Sequence, residues 1–285
     1  MVYITGDIHG QVEGVRTMIN SHNITPNDIF VLLGDVGLNY YGNKRGDRSR
    51  KRKLDSYEIP ILCIHGNHEA RPESLIIYRE ASWHGSTVYV EEEYPNLRFA
   101  KDGEVYDLEG TKAIAIGGAY SVDKWYRLQN GLHWFQDEQP SDAIKARAEV
   151  NLDRIGWQVD VVLSHTCPYQ YLPREAFFPG VDQSLVDNRT EQWLDTIEKR
   201  LDYKLWFCGH FHIEKRIDKM RFLYRSTLCL NEELGLSAGY DEFEKALALE
   251  EPNTVTYAAM EEAEKMDKPG KNYVRVKDFI SALEE

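Results

Sequence analysis

The candidate metal ligands in this sequence stand in short motifs that follow apolar runs. They occur in five motifs, GDIHG, GDVG, GNHE, LSHTCP and GHFH, and the candidate ligands within them are Asp7, His9, Asp35, Asn67, His165, His210 and His212. Carboxylate, imidazole and amide groups suit Mn²⁺, Fe²⁺ and Zn²⁺, with Mg²⁺ as a fourth candidate. Two such ions about 3.5–4 Å apart hold a phosphoryl group and activate water. The residue types therefore indicate phosphoester hydrolysis.

The motifs act together only if the fold brings their strands side by side. β-Branched runs predict strands at residues 2–5, 29–33, 59–65, 112–116, 161–164 and 204–208. Helical patterns lie between several of them, at residues 12–21, 72–81, 143–155 and 191–201. This alternation is typical of α/β proteins, whose ligands bind beyond the carboxyl ends of the strands. We therefore expect the five motifs to converge on one pocket.

The remaining segments predict additions to this core. Residues 86–108 and 213–230 lack a helical period and predict short antiparallel strands. Residues 231–285 carry a net charge of −8 out of −13 for the whole chain, with helical patterns at 257–266 and 276–284. We predict one domain at 1–231 and an acidic helical C-terminal extension at 232–285. By default this extension packs on the domain; binding to a partner protein or to a second copy is the alternative.

Composition narrows the classes of protein to which the chain can belong. With 42% hydrophobic and 28% charged residues over 285 positions, it is an ordinary globular chain. Its acidic balance argues against general binding of bulk duplex nucleic acid. The absence of an apolar leader or a long apolar run leads us to expect a cytoplasmic protein with no membrane partner. The four cysteines form no CxxC pair, so we expect reduced thiols.

In type and order, the five motifs resemble those of the calcineurin-like metallophosphoesterase superfamily. That pattern is D-x-H, GD, GNH followed by D or E, a lone H, and G-H-x-H. Its spacings are also similar, with 28 residues from Asp7 to Asp35 and 32 from Asp35 to Asn67. The resemblance covers roughly residues 1–230. It implies an α/β fold of four layers, an α/β/β/α sandwich of two mixed sheets.

The resemblance also implies how the site works. It assigns the candidate ligands to two divalent cations as follows: Asp7, His9 and His212 to the first, Asn67, His165 and His210 to the second, and Asp35 to both. A hydroxide between the cations would attack phosphorus, and His68 would serve the leaving oxygen as a general acid. Glu69 would support this loop without binding metal.

The second motif of this sequence differs from that of one branch of the family, the phosphoprotein phosphatases. Phosphoprotein phosphatases carry GDxxDRG in the second motif, but Leu38 and Asn39 occupy the Asp and Arg positions here. This weakens the alternative of a serine/threonine-type phosphoprotein phosphatase. The GHFH motif resembles the phosphodiesterase and nucleotidase branch. We therefore expect a phosphodiester or another small phosphorylated, nucleotide-like substrate.

The basic run at residues 44–53 is one candidate for binding substrate phosphate. Arg45, Arg48 or Arg50 would take the place of the missing arginine, because guanidinium pairs with phosphate through two hydrogen bonds. A solvated, flexible loop is the alternative interpretation. Sequence alone leaves both open.

A second candidate is the glycine-rich segment at residues 117–127. Tyr120 and Trp125 would stack on a base, while Lys124 and Arg127 would meet phosphate. The alternative is that the aromatic residues only cover an edge of the core.

Two further functions use the same fold. A non-catalytic scaffold is disfavoured because such relatives usually lose metal ligands, whereas all seven positions and His68 are present here. A DNA nuclease would be expected to carry a large capping region and a more basic surface.

Overall fold

Strands that are buried at every position form the centres of two sheets. A computed structural model describes residues 1–42, 44–179 and 181–236. Its strands, in chain order, are β1 (Val2–Thr5), β2 (Ile29–Leu32), β3 (Ile61–Cys63), β4 (Arg79–Trp83), β5 (Ser86–Val90), β6 (Leu97–Ala100), β7 (Val105–Leu108), β8 (Thr111–Ile116), β9 (Val161–Ser164), β10 (Leu205–Cys208), β11 (Lys215–Ile217), β12 (Met220–Phe222) and β13 (Thr227–Cys229). β1, β2, β3, β9 and β10 are buried throughout, as parallel strands covered on both faces require.

The first sheet has the order β13-β1-β2-β3-β6-β5-β4, and the second has the order β11-β12-β10-β9-β8-β7. β1, β2, β3 and β6 run parallel, as do β8, β9, β10 and β12. The strands at the sheet edges pair antiparallel. Residues 86–108 and 213–230 thus supply short strands as predicted, although β6 and β12 join their sheets in parallel.

Helices cover the outer face of each sheet. They are α1 (Val12–Ser21), α2 (Arg45–Asp55), α3 (Lys124–Gln129), α4 (Asp142–Arg154), α5 (Arg189–Glu198) and α6 (Leu230–Glu233), with 3-10 turns at Pro72–Ser74, Tyr169–Tyr171, Arg174–Ala176 and Gln183–Leu185. Val15 of α1 and Leu54 of α2 pack on the first sheet, and Leu152 of α4 and Leu194 of α5 pack on the second. The inner faces of the sheets meet in a third apolar core. The predicted four-layer α/β/β/α sandwich is confirmed.

The predicted helix at residues 72–81 is wrong. Only Pro72–Ser74 is helical, as a single 3-10 turn, and Arg79–Trp83 is strand β4. β4 pairs antiparallel with β5 through a two-residue turn, in which His84 and Gly85 have φ of 48° and 78°. Such turns require positive φ at both positions and bring the flanking strands into register. The strand that pairs with β4 is β5, which lies outside residues 72–81. This pairing with a segment outside that range makes residues 79–83 a strand.

The basic run is part of a helix and not a flexible loop. In α2, the Lys51 side chain is fully buried and its Nζ lies 2.7 Å from Glu91 Oε2. Leu54 of the same helix enters the core on the outer side of the first sheet. One face of the helix therefore packs inward while Arg45 and Arg48 stay exposed.

The predicted C-terminal extension falls almost wholly outside the described residues, including both of its helical patterns. The last described helix, α6, crosses the predicted boundary at 231/232. Its Glu233 carboxylate accepts hydrogen bonds from Arg216 and Arg221. The domain division stays a prediction. All four cysteines are buried free thiols, and no helix in the described ranges is long and apolar enough to span a membrane.

Candidate metal centre

The loops after β1 and β10 bring together the first set of candidate ligands. His9 Nε2 and His212 Nε2 lie 2.9 Å apart. Asp7 Oδ2 is 3.2 Å from His212 Nε2 and 3.8 Å from His9 Nε2. Each of the three side chains thus offers one ligand atom, and these three atoms lie within 4.8 Å of one another. They are close enough together to bind one metal ion.

The loops after β3, β9 and β10 supply the second set, and the loop after β2 supplies Asp35. His165 Nε2 lies 2.8 Å from Asn67 Oδ1 and 3.6 Å from Asp35 Oδ1. The His210 ring is 5.0 Å from the His165 ring, measured between centroids. The other oxygen of Asp35, Oδ2, is 4.0 Å from His9 Nδ1. Asp35 thus lies between the two sets, and all seven candidate ligands converge as the sequence predicts.

His68 borders this cluster on the side open to solvent. Its main-chain N–H donates to Asp35 Oδ1 at 2.8 Å, and its Nε2 lies 3.8 Å from Asp35 Oδ2. The side chain is 19% exposed, in contrast to 2% for Asp35. The His68 side chain is therefore partly open to solvent while the Asp35 carboxylate is buried.

Several of the candidate ligands adopt a backbone conformation that is costly for residues other than glycine. Their φ angles are 44°, 46°, 67° and 52° at His9, Asp35, His210 and His212. The left-handed region costs such residues about 1–2 kcal/mol each. Strain of this kind concentrates at functional sites, where it fixes side-chain directions.

The glycines before the ligands make room for these turns. A Cβ atom on Gly66 would lie 2.0 Å from the Asp35 backbone nitrogen, and one on Gly209 would lie 2.2 Å from Asp7 Oδ1. Only glycine allows the loops to approach this closely. The glycines that precede Asn67 and His210 in the motifs are therefore needed for the ligand loops to pack against one another.

The electrostatics of the cluster fit a cation. Burial and the charge of Asp7 hold the pKa of Asp35 well above its usual value. Asp7 Oδ2 is buried and, apart from the His212 ring nitrogen 3.2 Å away, has no hydrogen-bond partner among the described residues. Burial also lowers the pKa of His9 to about 4 and that of His210 to about 3, which keeps both imidazoles neutral and their lone pairs free. Buried carboxylates beside neutral imidazoles are a donor set for divalent metal ions.

Glu69 joins two of the ligand loops. Its carboxylate accepts hydrogen bonds from the main-chain N–H groups of Val36, Gly37 and Gly66, at 3.1–3.3 Å. It thereby ties the Asp35 loop to the Asn67 loop. This is the supporting position that the family resemblance implies for Glu69.

Among the described contacts, Arg50 is the arginine of the basic run that lies against the ligand loops. It donates to the Gly37 carbonyl oxygen at 3.1 Å, and its side chain occupies the space beside Gly10. Its guanidinium also lies 5.7 Å from the centroid of the Tyr41 ring. Arg45 and Arg48 are exposed on α2.

The segment at residues 117–127 places one of its two basic residues toward the cluster. Burial, followed by the charge of Arg127, lowers the pKa of His68 to about 2. Arg127 is held by hydrogen bonds to Asp123 and to the His133 carbonyl oxygen. Lys124 instead lies 4.1 Å from the centroid of the Trp134 ring. Within the described part of the chain, neither Lys124 nor the half-buried Tyr120 has a hydrogen bond or ring contact with a candidate ligand.

Two features of the site were missed by sequence reasoning. One is a surface of four contacting rings, called here the aromatic surface, formed by Tyr40, Tyr41, His133 and Phe135. Its only signal was the position of Tyr40 and Tyr41 shortly after the GDVG motif. The other is a hydrogen bond from Asn67 to Ser121, which has no signal in local sequence.

Three comparisons relate the chain to known proteins. The chain is similar to the crystal structure of TT1561 of Thermus thermophilus, with 15% identity over 73% of this chain and 80% of that one, and a TM-score of 0.43. A second crystal structure gives 15% identity over 78% and 88%, with a TM-score of 0.44. None of the curated proteins compared with the chain matches it significantly. The sequence profile described as calcineurin-like phosphoesterase matches residues 1–214. Because this match includes all seven converging side chains, the motifs and the profile agree that the chain belongs to the calcineurin-like phosphoesterase family.

Proposed function

We propose that this chain is a metal-dependent phosphoesterase that holds two divalent cations, Mn²⁺, Fe²⁺ or Zn²⁺ before Mg²⁺. The observation that carries the proposal is the convergence of five loops on two buried carboxylates, Asp7 and Asp35, and on the imidazoles that face them. The side chains would hold the cations as follows: Asp7, His9 and His212 one of them, Asn67, His165 and His210 the other, and Asp35 both. When bound, the cations activate water for attack on phosphorus and offset charge on the phosphoryl oxygens.

His68 acts on the leaving oxygen. It lies next to Asp35, is partly exposed, and belongs to neither set of candidate ligands. Its low pKa keeps the imidazole neutral, and a neutral imidazole still donates one N–H. It therefore stabilises the charge that develops on the departing oxygen by donating a hydrogen bond.

A nucleotide-like substrate is favoured by what surrounds the cluster. Arg50 lies against Gly10, the residue after His9, and against the ring of Tyr41, while Arg127 hydrogen-bonds to His133. The two arginines therefore stand between the candidate ligands and the aromatic surface. Guanidinium groups bind phosphate, and aromatic rings stack on nucleobases. A small molecule that carries both groups would satisfy both parts of the site.

The phosphoprotein phosphatase alternative is weakened further by burial. Leu38 and Asn39 stand where that branch has Asp and Arg, and both are fully buried. Asn39 accepts a hydrogen bond from the Tyr78 hydroxyl at 2.8 Å. These positions therefore serve the core. The non-catalytic scaffold and the DNA nuclease are the two functions that still compete with this proposal, and a cytoplasmic location stays a prediction.

The test compares an aryl phosphate diester with the matching monoester, using protein stripped by chelator and reloaded with Mn²⁺. We expect turnover that depends on added metal and is faster with the diester. Faster hydrolysis of the monoester would contradict the diester assignment and favour a phosphatase. Failure to hydrolyse either compound, or a panel of nucleotides, with Mn²⁺, Fe²⁺, Zn²⁺ or Mg²⁺ would contradict the enzymatic function and favour the scaffold.

Arg50→Ala tests the substrate side of the proposal. A charge-assisted hydrogen bond contributes about 1.5–3 kcal/mol, so we expect KM for a nucleotide to rise about 10- to 100-fold. Steady-state kinetics of Arg50→Ala and of an Arg45→Ala/Arg48→Ala double variant measure this. The double variant removes two exposed arginines of the same helix and is expected to leave KM unchanged. A rise in KM only in the double variant would refute the assignment to Arg50.

A further inference from the structure

Asn67 contacts Ser121, and Ser121 contacts Glu138. The proposed function gives these two residues, Ser121 and Glu138, no role. Asn67 Nδ2 lies 2.9 Å from Ser121 Oγ, and Ser121 Oγ lies 2.6 Å from Glu138 Oε2. All three residues are buried, with exposures of 1%, 1% and 3%. The contacts form a chain from a candidate metal ligand into the interior.

The hydrogen bonds of this chain have a fixed direction. Glu138 also accepts from the Ser121 main-chain N–H at 3.2 Å and from Trp134 Nε1–H at 2.8 Å. As a carboxylate it only accepts, so the single hydrogen of the Ser121 hydroxyl points to Glu138. Ser121 Oγ is then an acceptor toward Asn67. The Asn67 group that faces it must be the N–H₂ group, which turns the amide oxygen the opposite way.

An independent contact shows what lies on that opposite side. Asn67 Oδ1 is 2.8 Å from His165 Nε2. The other nitrogen of the His165 ring, Nδ1, lies 2.7 Å from the Leu33 carbonyl oxygen, which can only accept a hydrogen bond. Nδ1 therefore carries a proton, and Nε2 is the ring nitrogen that faces Asn67. The amide oxygen and this ring nitrogen are thus brought together as two donor atoms of the same candidate site.

We infer that Ser121 and Glu138 are positioning residues, which hold the amide oxygen of Asn67 toward the second cation. This rests on the proposed function. The two ends of a carboxamide have nearly the same shape, so packing alone does not choose between them. With the amide reversed, an N–H₂ group would face the cation and repel it. Partners that orient a ligand from behind typically change metal affinity about 10- to 100-fold when they are removed.

Calorimetric titration with Mn²⁺ tests the inference in the chelator-stripped full chain. The wild type is expected to bind two ions. Ser121→Ala removes the acceptor, and Glu138→Gln allows an amide N–H to face Ser121 and so reverse its hydroxyl. In both variants we expect the first ion to bind unchanged and the second about 10- to 100-fold more weakly. Glu149→Gln is the matched control, because Glu149 also accepts from an indole N–H, that of Trp193 on the outer face of the second sheet; its affinities should stay unchanged.

A double variant separates positioning from general destabilisation. Asn67→Ala should weaken the second ion alone, and adding Glu138→Gln to it should weaken binding no further, because Glu138 acts through Asn67. Unchanged affinity in both single variants, or additive losses in the double variant, would overturn the inference while the proposed function stands. A wild type that binds fewer than two ions would instead contradict the proposed function.

Discussion

Asp35→Asn is expected to lower kcat/KM for an aryl phosphate diester by about 10³-fold or more. Such a loss corresponds to about 4 kcal/mol, on the scale at which a metal site stabilises a transition state. The physical reason is the position of Asp35, whose two oxygens face the two sets of candidate ligands. An amide at this position has one acceptor oxygen and no charge. The measurement is steady-state kinetics at saturating Mn²⁺.

The same variant should make the metal-free protein more resistant to heat. Asp35 is buried beside a second carboxylate, and this arrangement costs free energy when no cation offsets the charge. An amide removes the charge while its oxygen keeps the hydrogen bond from the His68 N–H. We expect a higher Tm in chelator and a smaller gain in Tm on adding Mn²⁺. Asp28→Asn is the control. The Asp28 carboxylate pairs with the Met1 ammonium group and accepts hydrogen bonds from Thr25; together these outweigh burial and lower its pKa, so removing its charge should lower Tm. Equal Tm changes in the two variants would contradict this account of Asp35.

His68→Ala is expected to lower kcat by about 10²–10³-fold, the usual effect of removing one hydrogen-bond donor to a developing oxyanion. Binding of two Mn²⁺ ions should persist, since His68 is absent from both sets of ligands. The loss should be larger for an alkyl leaving group than for p-nitrophenolate, because a poor leaving group needs the N–H more. His22→Ala, which alters an exposed histidine at the end of α1, should have no effect. Equal losses of kcat with the two leaving groups would contradict a role of His68 in stabilising the leaving oxygen.

The central strands and the candidate ligands were accessible to sequence reasoning because both depend on local pattern. Largely apolar runs such as Val161–Ser164 are buried on both faces of a sheet. The Gly-Asp, Gly-Asn and Gly-His pairs mark turns that follow such strands. Segments whose structure depends on a distant partner were not accessible. Residues 79–83 have a weak pattern of their own and became a strand through pairing with residues 86–90.

Choosing among the substrate-side residues also needed the fold. Three arginines share α2, and only the helix geometry distinguishes Arg50, which lies over the ligand loops, from exposed Arg45 and Arg48. The contact between Asn67 and Ser121 joins residues 54 positions apart. Its direction depends on a third side chain, Glu138. Neither fact is encoded in a short motif.

The candidate ligands come from both sheets, and this has a mechanical consequence. Asp7, Asp35 and Asn67 follow strands of the first sheet, whereas His165 and His210 follow strands of the second. Under our proposal, each bound cation is a cross-link between the two halves of the sandwich. Metal loading would then slow the separation of the sheets, adding kinetic stability that chelation removes. Amide hydrogen exchange in β1, β2, β9 and β10 would fall together on loading, since opening either sheet would first require release of the metal.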